Sequence, residues 1–194
     1  MVAAATLAVS SAAQGEFAGH GGAVRGIAVS PDSRQLLSAS FDYSLMLWDF
    51  ASQRPLHRLH GHEGLVNAAA FLDGGQALSA SDDGTLALWN LKDARLERRW
   101  KGHASKIAAL AVAPGRRLAL SGGWDRSAKL WELPSGRLLH SFDHGANVNA
   151  VAFAPDGESA ASAGHDGSIR LWRLGDGQLL RRFGGGGFAV NALA

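Results

Sequence analysis

Four residue types recur along this chain at an almost constant spacing, and this repetition restricts the possible folds more than any other feature. The histidines that open the four units are separated by 42, 41 and 41 residues, and a serine, an aspartate and a tryptophan follow each of them in the same order. The four sets are His20, Ser38, Asp42 and Trp48; His62, Ser79, Asp83 and Trp89; His103, Ser121, Asp125 and Trp131; and His144, Ser162, Asp166 and Trp172. A period of about 20 to 50 residues is typical of stacked supersecondary units.

Each unit contains four short segments with the composition of β-strands. The first is a small, apolar run suited to a buried innermost strand, and a turn signal such as Ser30-Pro31-Asp32 ends it. A second strand leads to the serine, a tight turn follows at the aspartate, and an alternating third strand reaches the tryptophan. The fourth strand is more polar, which suits an exposed outer edge. We predict innermost strands at 24–29, 66–71, 107–112 and 148–153, and outer strands at 56–59, 96–100, 138–142 and 179–183.

A Gly-His pair opens three of the units, and a Trp-Asp pair closes one of them. These pairs stand at Gly19-His20, Gly61-His62, Gly102-His103 and Trp48-Asp49. They resemble the motifs of the WD-repeat (WD40) β-propeller family, and the resemblance covers residues 17–194. It implies an all-β fold, a β-propeller built from four-stranded antiparallel blades.

The number of units determines which kind of propeller is expected. The repeats at about 17–59, 60–100, 101–142 and 143–183 would give four blades, and 184–194 would start a fifth, ending inside its first strand. In that fifth unit Gly186 replaces the histidine. Because members of the resembled family usually have seven blades, we expect a fragment of a seven-bladed ring; the alternative is a closed ring of four blades.

A hydroxyl, an imidazole and a carboxylate at fixed spacing are also the groups of an activated nucleophile. An enzyme needs one such set in one cleft, whereas this chain repeats the set four times, each time with a tryptophan whose buried N–H requires an acceptor. The resemblance implies a hydrogen-bonded chain from tryptophan to serine to histidine to aspartate within every blade. We therefore predict a structural role for these residues and no catalytic residue.

Composition and local motifs argue against several other functions. The chain has no cysteine, hence no thiolate nucleophile, zinc–thiolate site or covalently attached haem, and no apolar run reaches the ~18 residues of a membrane span.

The net charge is only +2 and the basic residues are scattered, with Arg98-Arg99 and Arg181-Arg182 expected as solvated edge charge, so no nucleic-acid face is predicted. His60 and His62 lie two residues apart, but His62 belongs to the repeated set, so no metal site is predicted. The glycine run 184–187 lacks the rest of a phosphate-loop motif, and no cofactor is predicted.

The N-terminal segment differs from the repeats. Residues 1–13 are apolar or small, and Ser11-Ala12-Ala13 before Gln14 has the shape of a signal-peptidase site, although the usual preceding basic region is missing. We therefore separate residues 1–14, a clipped signal sequence or a disordered N-terminus, from a propeller of residues 15–194. The alanine-rich start and the phrase Ser40-Phe41-Asp42-Tyr43-Ser44 also resemble exported bacterial WD-repeat proteins, some of which continue into a c-type cytochrome domain. This favours a periplasmic or exported protein over a cytoplasmic one.

If the repeated residues form the scaffold, function must come from positions that vary between the units. The resemblance implies that partners contact the residue just before the turn aspartate and residues near the start of the first strand. Phe41, Trp124 and Arg25 are the strongest candidates, because large aromatic and arginine side chains dominate binding energies. Packing of both rings on a neighbouring blade is the alternative. The other predicted partner-binding residues are Asp82, His165, Asn67, Lys106, Asn149 and Asn191.

The sequence thus favours a non-catalytic protein-interaction scaffold with a protein partner. One alternative is an enzyme or ligand-binding propeller that uses its central channel, although the predicted innermost strands carry mainly Ala, Val, Ile, Gly and Asn. Another is the scaffold half of a periplasmic cytochrome c fusion. An open arc of blades would leave two apolar faces in water, so we also expect self-association through the open edges.

Overall fold

The computed structural model describes residues 19–73, 75–115 and 117–193, so the segment 1–14 lies outside the described residues. Sixteen β-strands in the described part form four antiparallel sheets of four strands each, and no helix occurs there. A helix of the length and apolar character that a membrane crossing requires is accordingly not found in these ranges. The prediction of an all-β chain with four four-stranded blades is confirmed.

Each blade uses four consecutive strands. The first blade consists of β1 (Val24–Val29), β2 (Gln35–Ser40), β3 (Ser44–Asp49) and β4 (Pro55–His60), and the second of β5 (Val66–Asp73), β6 (Gln76–Ser81), β7 (Thr85–Asn90) and β8 (Arg95–Lys101). The third consists of β9 (Ile107–Val112), β10 (Leu118–Gly123), β11 (Ser127–Glu132) and β12 (Arg137–Asp143), and the fourth of β13 (Val148–Phe153), β14 (Ser159–Gly164), β15 (Ser168–Arg173) and β16 (Leu179–Gly184). Neighbouring strands pair in sequence order within every blade.

The repeated aspartate shapes the turn between the second and third strands of each blade. Its carboxylate accepts the N–H of the residue two positions later, as Asp83 does from Thr85 at 2.8 Å. The residue between them has a left-handed backbone, which glycine adopts without strain at Gly84 and Gly167. Tyr43 and Arg126 take the same conformation in the first and third blades, so the aspartate fixes the turn even where no glycine is present.

The cores of the molecule lie between consecutive blades. We call the side of a blade that faces the preceding blade its front face, and the side that faces the following blade its rear face. In the second blade, Val66, Trp89 and Leu91 lie on the front face, and Leu86 and Leu88 lie on the rear face. Three apolar layers result, which join the first blade to the second, the second to the third, and the third to the fourth.

The structure differs from the sequence prediction at both ends of this arc. The prediction of a buried innermost strand is wrong for β1: Ile27 is 67% exposed, because no described residue packs on the front face of the first blade. The fifth unit does not form the predicted strand within 185–193. Asn149 nevertheless donates its amide N–H to the Val190 carbonyl at 3.4 Å, as Asn67 donates to Ile107 at 2.8 Å, so this segment lies where a fifth innermost strand would begin.

The alternative of a closed four-bladed ring is not what the described residues form. Their innermost strands pack in the order β1, β5, β9 and β13, and none of the three apolar layers joins the fourth blade to the first. The described blades therefore make an open arc.

Candidate functional site

The second blade shows how the repeated side chains are arranged. The indole N–H of Trp89 donates to Oγ of Ser79 at 2.8 Å, and Nε2 of His62 lies 2.7 Å from the same oxygen. Nδ1 of His62 lies 3.0 Å from Oδ2 of Asp83. With the imidazole proton on Nδ1, the serine hydroxyl donates to Nε2 and the imidazole donates to the carboxylate, so each polar group is satisfied. The chain links the third strand, the second strand and the loop before the first strand.

The first and third blades repeat this arrangement with nearly the same distances. In the first, the tryptophan–serine, serine–histidine and histidine–aspartate distances are 2.8, 2.8 and 2.9 Å, and in the third they are 2.8, 2.7 and 2.8 Å. The serines and the imidazole side chains are almost fully buried in these three blades. The repeated groups are therefore engaged with one another and removed from solvent.

Buried hydrogen bonds also set the protonation of the network. Burial alone would raise the pKa of Asp83, but hydrogen bonds from His62, Thr85 and the Glu63 N–H together hold that pKa well below its usual value. Burial lowers the pKa of His103, against the opposing effect of Asp125. The networks of the third and fourth blades, with Asp125 and Asp166, thus pair an ionised carboxylate with an imidazole whose neutral form burial favours.

The fourth blade departs from the other three. Here Nδ1 of His144 faces Ser162 at 2.8 Å, and Nε2 lies 3.5 Å from Oδ1 of Asp166, so the ring has the opposite orientation and a longer contact to the carboxylate. Asp166 is also more exposed than its three counterparts and lies near two cations, at 4.0 Å from Arg170 and 3.7 Å from Arg182. The tryptophan–serine bond is unchanged at 2.8 Å.

A lysine or arginine side chain lies beside every network, and the repeated sequence positions do not predict it. In each blade a lysine or arginine donates to the carbonyl of the residue just before the histidine. These bonds are Arg58 to Gly19 at 2.7 Å, Arg99 to Gly61 at 2.6 Å, Lys129 to Gly102 at 2.8 Å, and Arg170 to Asp143 at 2.8 Å. The first two cations come from the outer strand and the last two from the third strand. They therefore do not occupy the same position in each repeat, and a comparison of the repeats does not identify them.

The two sources of the cation are cross-strand neighbours. The register pairs Met46 with Arg58, Ala87 with Arg99, Lys129 with Ser141, and Arg170 with Arg182. A long basic side chain from either member of the pair can therefore reach the same carbonyl. Arg99, expected to be solvated edge charge, instead bonds both Gly61 and Glu63, the latter at 2.6 Å.

The equivalence of the two strand positions as sources of the cation can be tested in the second blade. We expect Arg99→Ser to lower the free energy of unfolding by about 1–2 kcal/mol, because the Gly61 carbonyl loses a charged donor. The double variant Ala87→Lys with Arg99→Ser reproduces the Lys129–Ser141 pair of the third blade and should be more stable than Arg99→Ser in urea denaturation. Because Ala87 is fully buried in the first apolar layer, Ala87→Lys alone measures the cost of placing a lysine there. A double variant no more stable than Arg99→Ser would show that the two positions are not equivalent.

All nine residues predicted to bind a partner line one cavity of about 400 Å³ at the end of the innermost strands. They are Arg25, Phe41, Asn67, Asp82, Lys106, Trp124, Asn149, His165 and Asn191, and Leu65 and Ala108 complete the lining. We call these nine residues the rim face. The structure brings them together because each blade places its pre-turn residue beside the start of its first strand.

Two of the blades present an aromatic ring with a cation over it. The Arg25 guanidinium lies 5.6 Å from the centre of the Phe41 ring, and Nζ of Lys106 lies 3.3 Å from the centre of the Trp124 ring. Trp124 is 40% exposed, and neither ring belongs to any of the apolar layers between the described blades. Both rings therefore combine an accessible surface with a fixed orientation.

The other two blades are polar at the rim face. In the second, the Asn67 amide donates to Asp82 at 2.6 Å and to the Ile107 carbonyl at 2.8 Å. In the fourth, Asn149 donates to Asn191 at 3.2 Å, and His165 is exposed. Within the described residues, no three histidine, aspartate or glutamate side chains gather as a metal ion would require.

Comparisons with known proteins identify the repeats. The family model described as "WD domain, G-beta repeat" matches residues 12–49, 53–90, 94–132 and 136–173. The small ribosomal subunit protein RACK1y of Oryza sativa subsp. japonica is 36% identical over 129 residues, which are 66% of this chain and 26% of that protein. Apoptotic protease-activating factor 1 of Rattus norvegicus is 40% identical over 60 residues, which are 30% of this chain and 5% of that protein. F-box/WD repeat-containing protein 10 of Mus musculus is 37% identical over 51 residues, which are 26% of this chain and 5% of that protein.

The aligned stretches span about a quarter or less of the length of these relatives. The family model, in contrast, matches most of the chain, in four consecutive repeats that each end at or next to the network tryptophan. The four blades and their repeated side chains agree with it, and the chain belongs to the WD40 repeat family of β-propeller proteins, which generally serve as protein-interaction scaffolds.

Proposed function

We propose that this chain is a non-catalytic scaffold that binds a protein partner through the rim face. The observation that carries the proposal is that the nine positions at which the family resemblance implies partner contacts line one cavity. A repeated framework holds their backbones in fixed positions, so side chains at the rim face can differ between blades without a change of fold. We also propose the division of the chain into residues 1–14 and a propeller of residues 15–194.

The chemistry of the rim face supports a protein as the partner. Tryptophan and arginine are enriched among the residues that contribute most to protein–protein binding, and Trp124 and Arg25 both line the cavity, from the third and first blades. The cations over Phe41 and Trp124 restrict the rings before binding, which reduces the entropy lost in a complex. Asp82 and the asparagines add directional hydrogen-bonding groups.

The repeated network offers a hydrolase no free nucleophile. Oγ of Ser79 is fully buried and lies within hydrogen-bonding distance of both Trp89 and His62. A substrate carbonyl would have to reach that oxygen through the packed blade. The same engagement of serine by tryptophan and histidine recurs in the other blades, and this supports a structural role for the network.

The test is a pull-down with immobilised chain from the lysate of the source cells. The double variant Phe41→Ala with Trp124→Ala should lose captured proteins by about tenfold or more, because it removes both aromatic anchors. Phe188→Ala is the matched control, since Phe188 is almost fully exposed and does not line the rim cavity. Capture that is unaltered in the double variant would remove the rim face from consideration.

We propose a second contact, between copies of the chain, at the open edges of the blade arc. The apolar residues exposed at those edges support this self-association, and they are distinct from the rim face.

A further inference from the structure

The rim face carries two cations and one carboxylate, and each comes from a different blade. Arg25 lies on β1 of the first blade, Asp82 directly follows β6 of the second, and Lys106 directly precedes β9 of the third. The fourth blade contributes His165 and Asn149 to the same cavity. Along the blade order, the charges of the rim face therefore alternate as positive, negative and positive.

The two cations of the rim face have no acidic partner within the described ranges. The basic side chain beside each of the four networks has a carboxylate within 4.0 Å, whereas neither Arg25 nor Lys106 forms an ion pair with a described residue. Each instead lies over a ring, Arg25 at 5.6 Å from the centre of Phe41 and Lys106 at 3.3 Å from the centre of Trp124. A ring attracts a cation but does not neutralise its charge, so both charges remain available to a ligand.

This arrangement disfavours a cationic ligand at the two rings. A partner ammonium or guanidinium group that approached Phe41 or Trp124 would meet the like charge of Arg25 or Lys106. A carboxylate, in contrast, can accept hydrogen bonds from either cation while the ring holds that cation in place, and charge-assisted bonds of this type are among the stronger ones. The two aromatic blades therefore favour acidic groups.

Asp82 imposes the opposite preference in the blade between them. Its Oδ1 accepts the Asn67 amide at 2.6 Å, and the same amide also donates to the Ile107 carbonyl at 2.8 Å, which fixes the carboxylate in place. No described residue donates to Oδ2 of Asp82, and the side chain is only half-buried. Asp82 therefore repels a third acidic group and can accept a hydrogen bond from a ligand.

We propose that the rim face binds an extended segment of its partner in which two acidic residues flank a residue with a donor side chain, lysine or arginine above all. The acidic side chains pair with Arg25 and Lys106, and the donor between them pairs with Oδ2 of Asp82. This assignment rests on the proposed function, the binding of a protein partner at the rim face. Phosphorylated segments fit less well, because phosphate recognition uses clustered arginines and the rim face offers one cation in each of two separate blades.

The test is a selection from a phage-displayed library of random heptapeptides on the immobilised chain. On the wild type, peptides with two acidic residues separated by at least one other residue should be enriched about threefold or more, because their charges complement the rim face. Arg25→Gln with Lys106→Gln should abolish this enrichment. Arg54→Gln with Arg95→Gln is the matched control, since it removes the same net charge from exposed arginines that do not line the cavity, and it should keep the enrichment.

Asp82→Asn tests the middle charge separately. The amide oxygen can still accept from Asn67, but the negative charge is lost, so the selected peptides should no longer favour lysine or arginine between the acidic residues and should include uninterrupted acidic runs. Three results would each overturn the proposal: a wild-type selection without acidic enrichment, enrichment that survives Arg25→Gln with Lys106→Gln, or a middle position that Asp82→Asn leaves unchanged.

The aromatic variant distinguishes failure of this charge pattern from failure of the proposed function. If Phe41→Ala with Trp124→Ala loses captured proteins while the wild type selects no acidic peptides, the rim face binds a protein but the charge pattern is wrong. If that variant captures proteins as the wild type does, the rim face is not the binding surface, and both proposals fall.

Discussion

Replacing Asp83 with alanine is expected to lower the free energy of unfolding by about 2–4 kcal/mol, because several donors lose one acceptor at once. The carboxylate lies 3.0 Å from Nδ1 of His62 and accepts from the Glu63 N–H at 2.9 Å and from the Thr85 hydroxyl at 2.6 Å. Once the carboxylate is removed, the buried His62 keeps only a weaker, neutral contact, 3.2 Å from Nδ1 to the Thr85 hydroxyl, in place of its charged acceptor. Thermal and urea denaturation measure the loss.

Two matched variants show whether the loss comes from the network. Asp93→Ala removes an exposed aspartate from the same blade and should change stability little. Asp166→Ala should cost less than Asp83→Ala, because His144 lies 3.5 Å from Asp166 and this carboxylate is more exposed. A melting temperature of Asp83→Ala equal to that of the wild type would refute the structural role of the network.

The spacing of the repeats predicts most of the fold. The predicted innermost strands agree with β1, β9 and β13 at both ends, and β5 continues two residues further, to Asp73. This success has a physical reason: strand length, turn position and the buried network all recur with the same period, so four copies of each signal agree. The sequence also predicts which residues form the rim face, since their positions depend only on where the first strands begin and where the turns lie.

The sequence pattern does not predict two kinds of feature: the burial of residues that a neighbouring blade would cover, and an interaction that different repeat positions supply in different blades. The apolar character of Val24 and Ile27 is visible in the sequence, but their exposure depends on whether another blade covers them. The cation that bonds the loop carbonyl is hidden because Arg99 and Lys129 reach equivalent carbonyls from different strands. The reversed ring of His144 accompanies Asp143, which replaces the glycine found before the other three histidines.

These differences separate two kinds of position in the chain. Residues repeated in all blades hold each sheet together, and apolar residues on the front and rear faces hold consecutive sheets together. Trp89 belongs to both groups, since its N–H bonds Ser79 while its ring packs in the first apolar layer. The network tryptophan therefore connects the hydrogen bonds within a blade to the packing of that blade on its neighbour.

Trp89 is accordingly the position where a single substitution should have the largest effect. Its side chain is fully buried, so Trp89→Ala should cost about 3–5 kcal/mol through the cavity it leaves between the first two blades. Trp89→Phe keeps much of the packing but removes the donor to Ser79, and it should cost about 1–3 kcal/mol. In equilibrium urea unfolding, the alanine variant should also broaden the transition, because in stacked repeats the coupling between neighbours determines cooperativity.

Trp100→Phe provides the matched control for the hydrogen bond. The indole N–H of Trp100 is buried and has no hydrogen-bond acceptor among the described residues, while its ring contacts Trp131 in the second apolar layer. Removing this N–H therefore breaks no hydrogen bond, and Trp100→Phe should be less destabilising than Trp89→Phe although both variants make the same change in size. Equal losses at the two positions would mean that ring size alone matters and that the indole-to-serine bond adds nothing to the stability of the blade.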